Sequence, residues 1–328
     1  MFNLSQFQQH SYNDPNILKD FVIYEDTDSI FVMAERFFTQ FISQDQWNSL
    51  DWGTQLSYVW KLGEIVEDYI NDKIYHDVQL TGYNSNNYDF RTKFKQEKIA
   101  RTGIFPTKKR YATWTIYDEK KYKNDLSVTG MELITSSTPE VIKVKLKEAL
   151  NLILKLDEID YENIWKREKE DEILTRINEM KDELKNIYPE EIAANLSANK
   201  LGVYLDKDNR PLKGAGWHVK GVGAYNTLLD NFTYKDENGE EHLLGDKYEK
   251  IMNGEKVKVV YVKRNSFGFN SLAFHRWPKE LNEVLQVDYN KMIEKFFTNK
   301  LKDLLKLINK DHILTQSQGD LAIKMLFE

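Results

Sequence analysis

The sequence predicts an α+β fold: an antiparallel sheet portion with helices over residues 1–129, then a mainly helical part over residues 130–328. Short β-prone runs separated by turn-forming residues dominate the first part, and apolar residues at helical spacing dominate the second. At 328 residues with 41% hydrophobic residues, the chain is long enough for two units that each bury a core.

The composition argues against several classes of protein. The chain contains no cysteine, which excludes disulfides and thiolate metal sites. The N-terminus lacks the basic start and apolar run of a signal peptide, and no run of about 18 apolar residues predicts a membrane span. The net charge of −6 disfavours nucleic-acid binding, but a net charge conceals local patches.

The first part opens with a predicted β-hairpin. β-branched and aromatic residues fill the runs 21–24 and 30–33, and the polar residues between them are typical of a turn. A helix is predicted over 53–75, a loop over 81–93, and strands in "FKQEKIA" and "YATWTIYDEK". The apolar residues at helical spacing in 53–75 are Leu56, Val59, Trp60, Ile65, Val66, Tyr69, Ile70 and Ile74.

The second part contains three predicted amphipathic helices. The first starts near Pro139, with Ser137 or Thr138 as its cap, and buries Ile142, Leu146, Ala149, Leu150, Ile153 and Leu154. The second is strongly charged and buries Ile173, Ile177, Met180, Leu184 and Ile187. The third runs through 288–309, while "LKGAGWHVKGVGAYN" and "NGEKVKVVYVKRN" predict loops and short strands.

Asp26 and Asp28 are the first candidates for chemistry, because two carboxylates in a tight turn repel one another. A hard divalent cation offsets that repulsion, and Mg²⁺ prefers carboxylates together with phosphate oxygens and water. Two such ions about 4 Å apart form the clamp used for in-line displacement at phosphorus. The alternative is that both aspartates are turn residues that hydrogen-bond their own backbone.

A basic segment is the second candidate. Residues 91–111 contain eight Lys or Arg and one acid, Glu97, and aromatic residues interleave with the charge in "TKKRYATWTIY". Lysine and arginine contacts to phosphates supply most sequence-independent affinity for DNA. The alternative is a generic basic surface.

Five segments resemble the B-family DNA polymerases, and among them the T-even-type bacteriophage replicative enzymes. "YEDTDSIFV" resembles the palm motif Tyr-Gly-Asp-Thr-Asp-Ser, and "TKKRYATWTIYD" resembles the Lys-Lys-Arg-Tyr motif. "GMELITSSTPEVIKVKLKEAL", "GWHVKGVGAYN" and "LAFHRWPKELNEVLQVDYNKMIEKFF" resemble thumb segments, in the family's order. The resemblance implies that 1–129 is the C-terminal portion of a palm and 130–328 a thumb.

The resemblance also implies roles for residues. Asp28 matches the palm aspartate that binds the two catalytic Mg²⁺ ions, and Asp26 its supporting neighbour. Glu97 matches a supporting acid near the metals. The residues implied to hold primer–template DNA are Lys108, Lys109, Arg110 and Tyr111, with Thr27 and Ser29 in the palm turn.

The sequence departs from the family at two single positions and, more extensively, by the absence of whole parts. Glu25 stands where the family has glycine, and Lys95 stands about where the phage enzymes carry another acid. The second metal-binding aspartate, the fingers helix that grips the nucleoside triphosphate and the exonuclease domain have no counterpart. The chain is therefore expected to be the C-terminal subunit of a split polymerase, inactive without an N-terminal chain that supplies these parts.

The last residues resemble the clamp-docking peptide of phage polymerases, with Leu321, Met325, Leu326 and Phe327 as anchors for a sliding clamp. The alternative is a final helical turn packed on the thumb.

The implied location is the cytoplasm of an infected bacterial host. The alternative function is a non-catalytic DNA-binding or assembly module with the polymerase palm-thumb fold, and a stand-alone two-metal nuclease is a further rival that lacks additional acidic motifs.

Overall fold

The computed structural model describes residues 21–26, 29–78, 93–131, 135–155 and 167–315. The chain divides into two compact units, Met1–Met131 with Leu154–Ile164, and Glu132–Ile153 with Trp165–Glu328. Helices and antiparallel sheets are both present, which confirms the predicted α+β class. Within the described ranges, no helix combines the length and the apolarity needed to cross a membrane.

The first unit contains two antiparallel sheets and three helices among its described residues. In chain order the elements are β1 Val22–Asp26, β2 Ser29–Val32, α1 Ala34–Phe38, α2 Gln44–Asn48, α3 Trp52–Tyr69 with a π-helical continuation Ile70–Tyr75, β3 Lys98–Thr107, β4 Arg110–Asp118 and β5 Lys121–Thr129. β1 pairs with β2, and β3, β4 and β5 form a three-stranded sheet with β4 at its centre.

These elements confirm the predicted hairpin and the predicted helix over 53–75. The strand predicted from "FKQEKIA" begins only at Lys98, and most of the predicted loop 81–93 lies outside the described residues. β5 was not predicted, because its first five residues are exposed and mostly polar. As the central strand, β4 buries consecutive residues: Ala112, Thr113, Trp114, Thr115 and Ile116.

The helices of the first unit begin at polar caps. Ser43 and Gln46 form a reciprocal capping box at the start of α2. Asp51 caps α3 by accepting a hydrogen bond from the Thr54 N–H at 3.0 Å. The hydroxyl of Thr54 bonds the same carboxylate at 2.6 Å. These bonds lower the pKa of Asp51 and fix where α3 starts.

The second unit is mainly helical, with one three-stranded sheet and one small hairpin among the described residues. Its elements are α4 Glu140–Leu154, α5 Arg167–Lys185, α6 Pro189–Ile192, β6 Ala194–Ser197, α7 Leu201–Tyr204, α8 Trp217–Asn231, β7 Thr233–Lys235, β8 Glu241–Leu243, β9 Lys256–Tyr261, β10 Ser271–Phe274, α9 Tyr289–Ile293 and α10 Asn299–Leu307. The sheet order is β10-β9-β6, and a π-helical segment, Glu294–Thr298, joins α9 to α10.

The three predicted amphipathic helices are confirmed. Each apolar residue assigned to the buried face of α4 is at most 3% exposed. In α5 the predicted residues Ile173 to Leu184 are fully buried, but Ile187 lies beyond the helix end at Lys185 and is half-buried. α9, the π-helical segment and α10 together form the helix predicted over 288–309.

The prediction of loops and short strands in "LKGAGWHVKGVGAYN" was wrong for most of that segment, because Trp217–Asn231 is the 15-residue helix α8. Its glycines serve close packing. A Cβ on Gly221 would lie 2.9 Å from the Ala273 nitrogen in β10, and one on Gly223 would lie 2.4 Å from the Asn209 carbonyl oxygen. The strand predicted in "NGEKVKVVYVKRN" is present as β9.

Candidate functional site

The β1–β2 hairpin carries the acidic candidates. Its strands are antiparallel, and Asp26 pairs with Ser29 at the last register position before the turn. The Asp26 side chain is only 19% exposed, whereas the neighbouring Glu25 is exposed. Thr27 and Asp28, which the sequence places between the two strands, lie outside the described residues.

An aromatic cluster joins this hairpin to the three-stranded sheet. Tyr24 and Phe31 from the hairpin pack against Phe105 of β3 and Tyr111 of β4, with ring centroids 5.1–5.9 Å apart. Stacked and tilted aromatic pairs contribute about 0.5–1.5 kcal/mol each beyond the apolar area that they bury. The cluster therefore holds the β1–β2 hairpin against the basic end of β3 and β4.

The Tyr24 hydroxyl reaches the turn between β3 and β4. It accepts a hydrogen bond from the Lys109 backbone N–H at 2.6 Å. Lys109 has a φ of +61°, a left-handed conformation that disfavours side chains with a Cβ. Gly130, with a φ of +56°, lies so close that an added Cβ would stand 1.8 Å from the Lys109 carbonyl oxygen. Tyr24 and Gly130 thus fix the backbone of the turn from two sides.

The basic turn and the acidic hairpin meet through their side chains as well. The Nζ atoms of Lys108 and Lys109 lie 3.9 Å and 4.0 Å from the two carboxylate oxygens of Asp26. Both lysines are about 70% exposed, so these pairs are weak ones that water and salt screen. The lysine ammonium groups consequently remain accessible to another anion.

The remaining predicted residues divide between this site and other places. Arg110 is exposed directly after the turn, and Tyr111 is half-buried in the aromatic cluster. Glu97 lies just before β3, at the opposite end of that strand from Lys108. About ten residues of strand, roughly 30 Å at 3.3 Å per residue, separate the two. The structure therefore does not bring Glu97 to Asp26, which departs from the predicted role of a supporting acid near the metals.

The four predicted clamp anchors, Leu321, Met325, Leu326 and Phe327, lie outside the described residues. The charged members of the site were predicted from the sequence, whereas the contacts of Tyr24, Phe31, Phe105 and Gly130 were not. The runs "FVIY" and "IFV" are apolar throughout, so no alternation of apolar and polar residues indicates which of their side chains face the protein.

The donor chemistry of this site suits Mg²⁺ in part. The described carboxylate of Asp26 offers the oxygen ligands that Mg²⁺ prefers, but a single carboxylate does not hold two ions. A second group of possible ligands, Asp236, Glu240 and His242, lies on the β7–β8 hairpin of the other unit. There Asp236 accepts backbone N–H bonds from Glu240 and Asn238, which lower its pKa, so turn formation accounts for its placement.

Comparison with known proteins gives two similar polymerases. The chain is 23% identical over 310 residues to the DNA-directed DNA polymerase of Enterobacteria phage T4, covering 90% of this chain and 31% of the phage protein. It is also 23% identical over 311 residues to the DNA-directed DNA polymerase of Escherichia phage RB69, and this match covers 89% of this chain and 31% of the RB69 protein. No family model matches the chain. The chain thus spans about a third of the length of these relatives, and the similarity supports a relationship to the B-family DNA polymerases.

Proposed function

We propose that this chain is the palm remainder and thumb of a split B-family DNA polymerase, which extends a primer 3′-hydroxyl with nucleoside triphosphates. The proposal rests on the junction of the Asp26 hairpin with the Lys108–Lys109 turn through the Tyr24 hydroxyl. That junction lies in a chain whose similarity to phage polymerases covers 90% of its length. It sets the Asp26 carboxylate, a proposed metal ligand, beside the ammonium groups of two lysines, which are proposed to bind phosphate.

The basic turn is the proposed contact with primer–template DNA. Lys108, Lys109 and Arg110 are exposed and adjacent, so they are able to neutralise neighbouring phosphates or reach the minor groove. Tyr111 anchors the strand behind them, and Tyr24 holds the turn at a fixed distance from Asp26. Thr27 and Ser29 belong to the same proposed DNA contact. The positive groups thereby position the primer end beside the carboxylates.

The proposed metal ligands are Asp28 and Asp26, completed by an aspartate of another polypeptide. Two bound Mg²⁺ ions would supply an activated primer hydroxyl and charge stabilisation for the departing pyrophosphate. The contribution of this chain is a hairpin whose strands are held by pairing and by the aromatic cluster. Such support keeps a carboxylate at a reproducible position.

The other polymerase parts are proposed to reside on a companion chain, defined as the polypeptide that matches the portion of the T4 and RB69 polymerases absent here. The relatives are about three times as long as the matched region, which leaves room for exonuclease, fingers and the remaining palm. A sliding clamp is the proposed partner of Leu321, Met325, Leu326 and Phe327, and the infected bacterial cytoplasm is the proposed location.

Primer extension tests this function. We expect no extension by this chain alone, extension by its mixture with the companion chain, and loss of that extension with Asp28→Ala while duplex binding is retained. Extension by this chain alone would refute the split arrangement. Duplex binding without extension by the mixture would favour the non-catalytic DNA-binding module, for which the exposed Glu25 beside Asp26 is the supporting observation.

A further inference from the structure

One face of α3 and its π-helical continuation is apolar and exposed. Val66, Tyr69, Ile74 and Val78 are 36%, 42%, 44% and 49% exposed, and Leu62 on the same face is half-buried. The side chain that α3 buries fully is Gln55, a polar residue. By comparison, the apolar face of α4 is at most 3% exposed. We call Leu62, Val66, Tyr69, Ile74 and Val78 the α3 stripe.

The members of the α3 stripe follow helical geometry over its whole length. The steps are four, three, five and four residues, and the five-residue step from Tyr69 to Ile74 spans the π-helical segment Ile70–Tyr75. A π-helix bonds residue i to i+5, so the wider turn keeps Ile74 on the face defined by Tyr69. The stripe is therefore one continuous surface about four turns long.

The opposite face of the same helix is firmly attached to the first unit. Trp60 packs edge-to-face on Tyr117 at 5.1 Å, and the Glu67 carboxylate accepts the Gln96 N–H at 3.0 Å. Asn71 makes two hydrogen bonds with the Phe94 backbone, at 2.8 Å and 2.9 Å. Because these contacts fix the rotation of the helix, the stripe stays turned away from them. An exposed apolar face on a helix that is already attached by its other face is typical of a surface that binds another protein.

The charges around the α3 stripe restrict that partner. Residues 61–78 contain five acids and two lysines, but Glu67 lies on the attached face and Glu64 pairs with Lys61. The acids that remain are Asp68, Asp72 and Asp77, against Lys73 alone. This acidic surround repels the phosphates of DNA and of anionic lipids. The occupant that fits is a protein surface with apolar side chains at its centre and Lys or Arg at its rim.

We propose that the α3 stripe is the docking surface for the companion chain, an inference that rests on the proposed function. The match covers 31% of each relative, and the proposed function assigns the remaining polymerase parts to the companion chain, which makes it a large polypeptide that assembles with this one. The stripe offers that polypeptide Tyr69, a residue type that often anchors interfaces, surrounded by aliphatic side chains that exclude water.

Cysteine protection locates the contact, because the natural chain has no cysteine to interfere. Tyr69→Cys and Ile74→Cys report on the stripe, and Lys61→Cys, on the polar side of the same helix and 69% exposed, is the matched control. We expect alkylation at positions 69 and 74 to slow by about tenfold or more with purified companion chain, since interface centres exclude water. Alkylation at position 61 stays unchanged.

A charge placed in the stripe supplies a second readout. Val66→Lys should weaken the association of the two chains by about tenfold or more, whereas Val203→Lys, at a valine that is 62% exposed in the other unit, should leave it unchanged. Because the stripe contains none of the proposed catalytic residues, a saturating concentration of the companion chain should restore the primer-extension rate of the Val66→Lys variant. Excess companion chain should not restore Asp28→Ala. Circular dichroism verifies that each variant is folded.

The outcomes separate the docking surface from the proposed function. If the Val66→Lys variant associates with the companion chain and extends a primer as well as the wild type does, the docking role of the α3 stripe is overturned and the proposed function stands. If cysteines at positions 69 and 74 are already protected from alkylation in the chain alone, another part of this chain or a second copy covers the stripe. That result also overturns the proposal. Absence of any association between the wild-type chains would overturn both.

Discussion

Replacing Tyr24 by phenylalanine removes a single oxygen from the junction between the acidic hairpin and the basic turn. We expect the aromatic cluster to remain in place, because Phe31, Phe105 and Tyr111 pack on the Tyr24 ring, which the substitution retains. What disappears is the 2.6 Å hydrogen bond from the Lys109 N–H. The turn is exposed, so water replaces the lost acceptor, and the net cost is about 0.5–1.5 kcal/mol.

Hydrogen exchange at the Lys109 amide measures this cost directly. A change of about 1 kcal/mol corresponds to roughly fivefold faster exchange at that amide, with most other amides unaffected. Tyr122→Phe is the control, since Tyr122 is 67% exposed at the far end of the same sheet. Unchanged exchange at Lys109 in Tyr24→Phe, with native exchange elsewhere, would refute the conclusion that the Tyr24 hydroxyl holds the turn.

Three further predictions concern packing, DNA contact and pH. Gly221→Ala should lower the free energy of unfolding in urea by about 1–3 kcal/mol, because the added Cβ would lie 2.9 Å from the β10 backbone. Gly202→Ala is the control and should not destabilise the chain, because no atom lies within 4 Å of its added Cβ. Lys108→Ala should weaken duplex binding irrespective of the DNA sequence and should reduce the steepness of log affinity against log salt concentration by about 0.9. Fluorescence anisotropy titrations at several salt concentrations measure both effects. Burial raises the pKa of Glu280, but the hydrogen bonds from Lys247, from the backbone and from the Tyr248 hydroxyl together outweigh it and leave the pKa below its ordinary value of 4.5. The stability that Glu280 contributes is therefore present above pH 4.5 and lost as the pH falls, and Glu280→Gln should flatten the dependence of thermal stability on pH in that range.

The amphipathic helices show what periodicity predicts well. The buried residues of α4 follow from the sequence because each helical turn contributes an apolar side chain to the same face. In α8 the same reasoning failed, since glycines at 221 and 223 are unfavourable in an isolated helix. Their value arises only when β10 and the Asn209 backbone approach within contact distance, and such an approach is a property of the packed unit.

The apolar residues of α3 illustrate a different limit. Periodicity predicts the helix but not which face is covered, because Val66 and Tyr69 have the same hydrophobic character as a core residue. Only the packed unit shows that Trp60, Glu67 and Asn71 contact the rest of the unit while Val66 and Tyr69 remain exposed.

By itself the sequence determined the α+β class, the hairpin that carries Asp26, the basic turn at Lys108–Arg110, and the resemblance to polymerases, because each is encoded in a short contiguous pattern. The tertiary structure decided which patterns meet. It brings Asp26 within 4.0 Å of two lysines more than 80 positions away, and it leaves Glu97 at the other end of β3. Local periodicity fixes the direction of a side chain, whereas strand pairing and close packing between distant segments fix its neighbours.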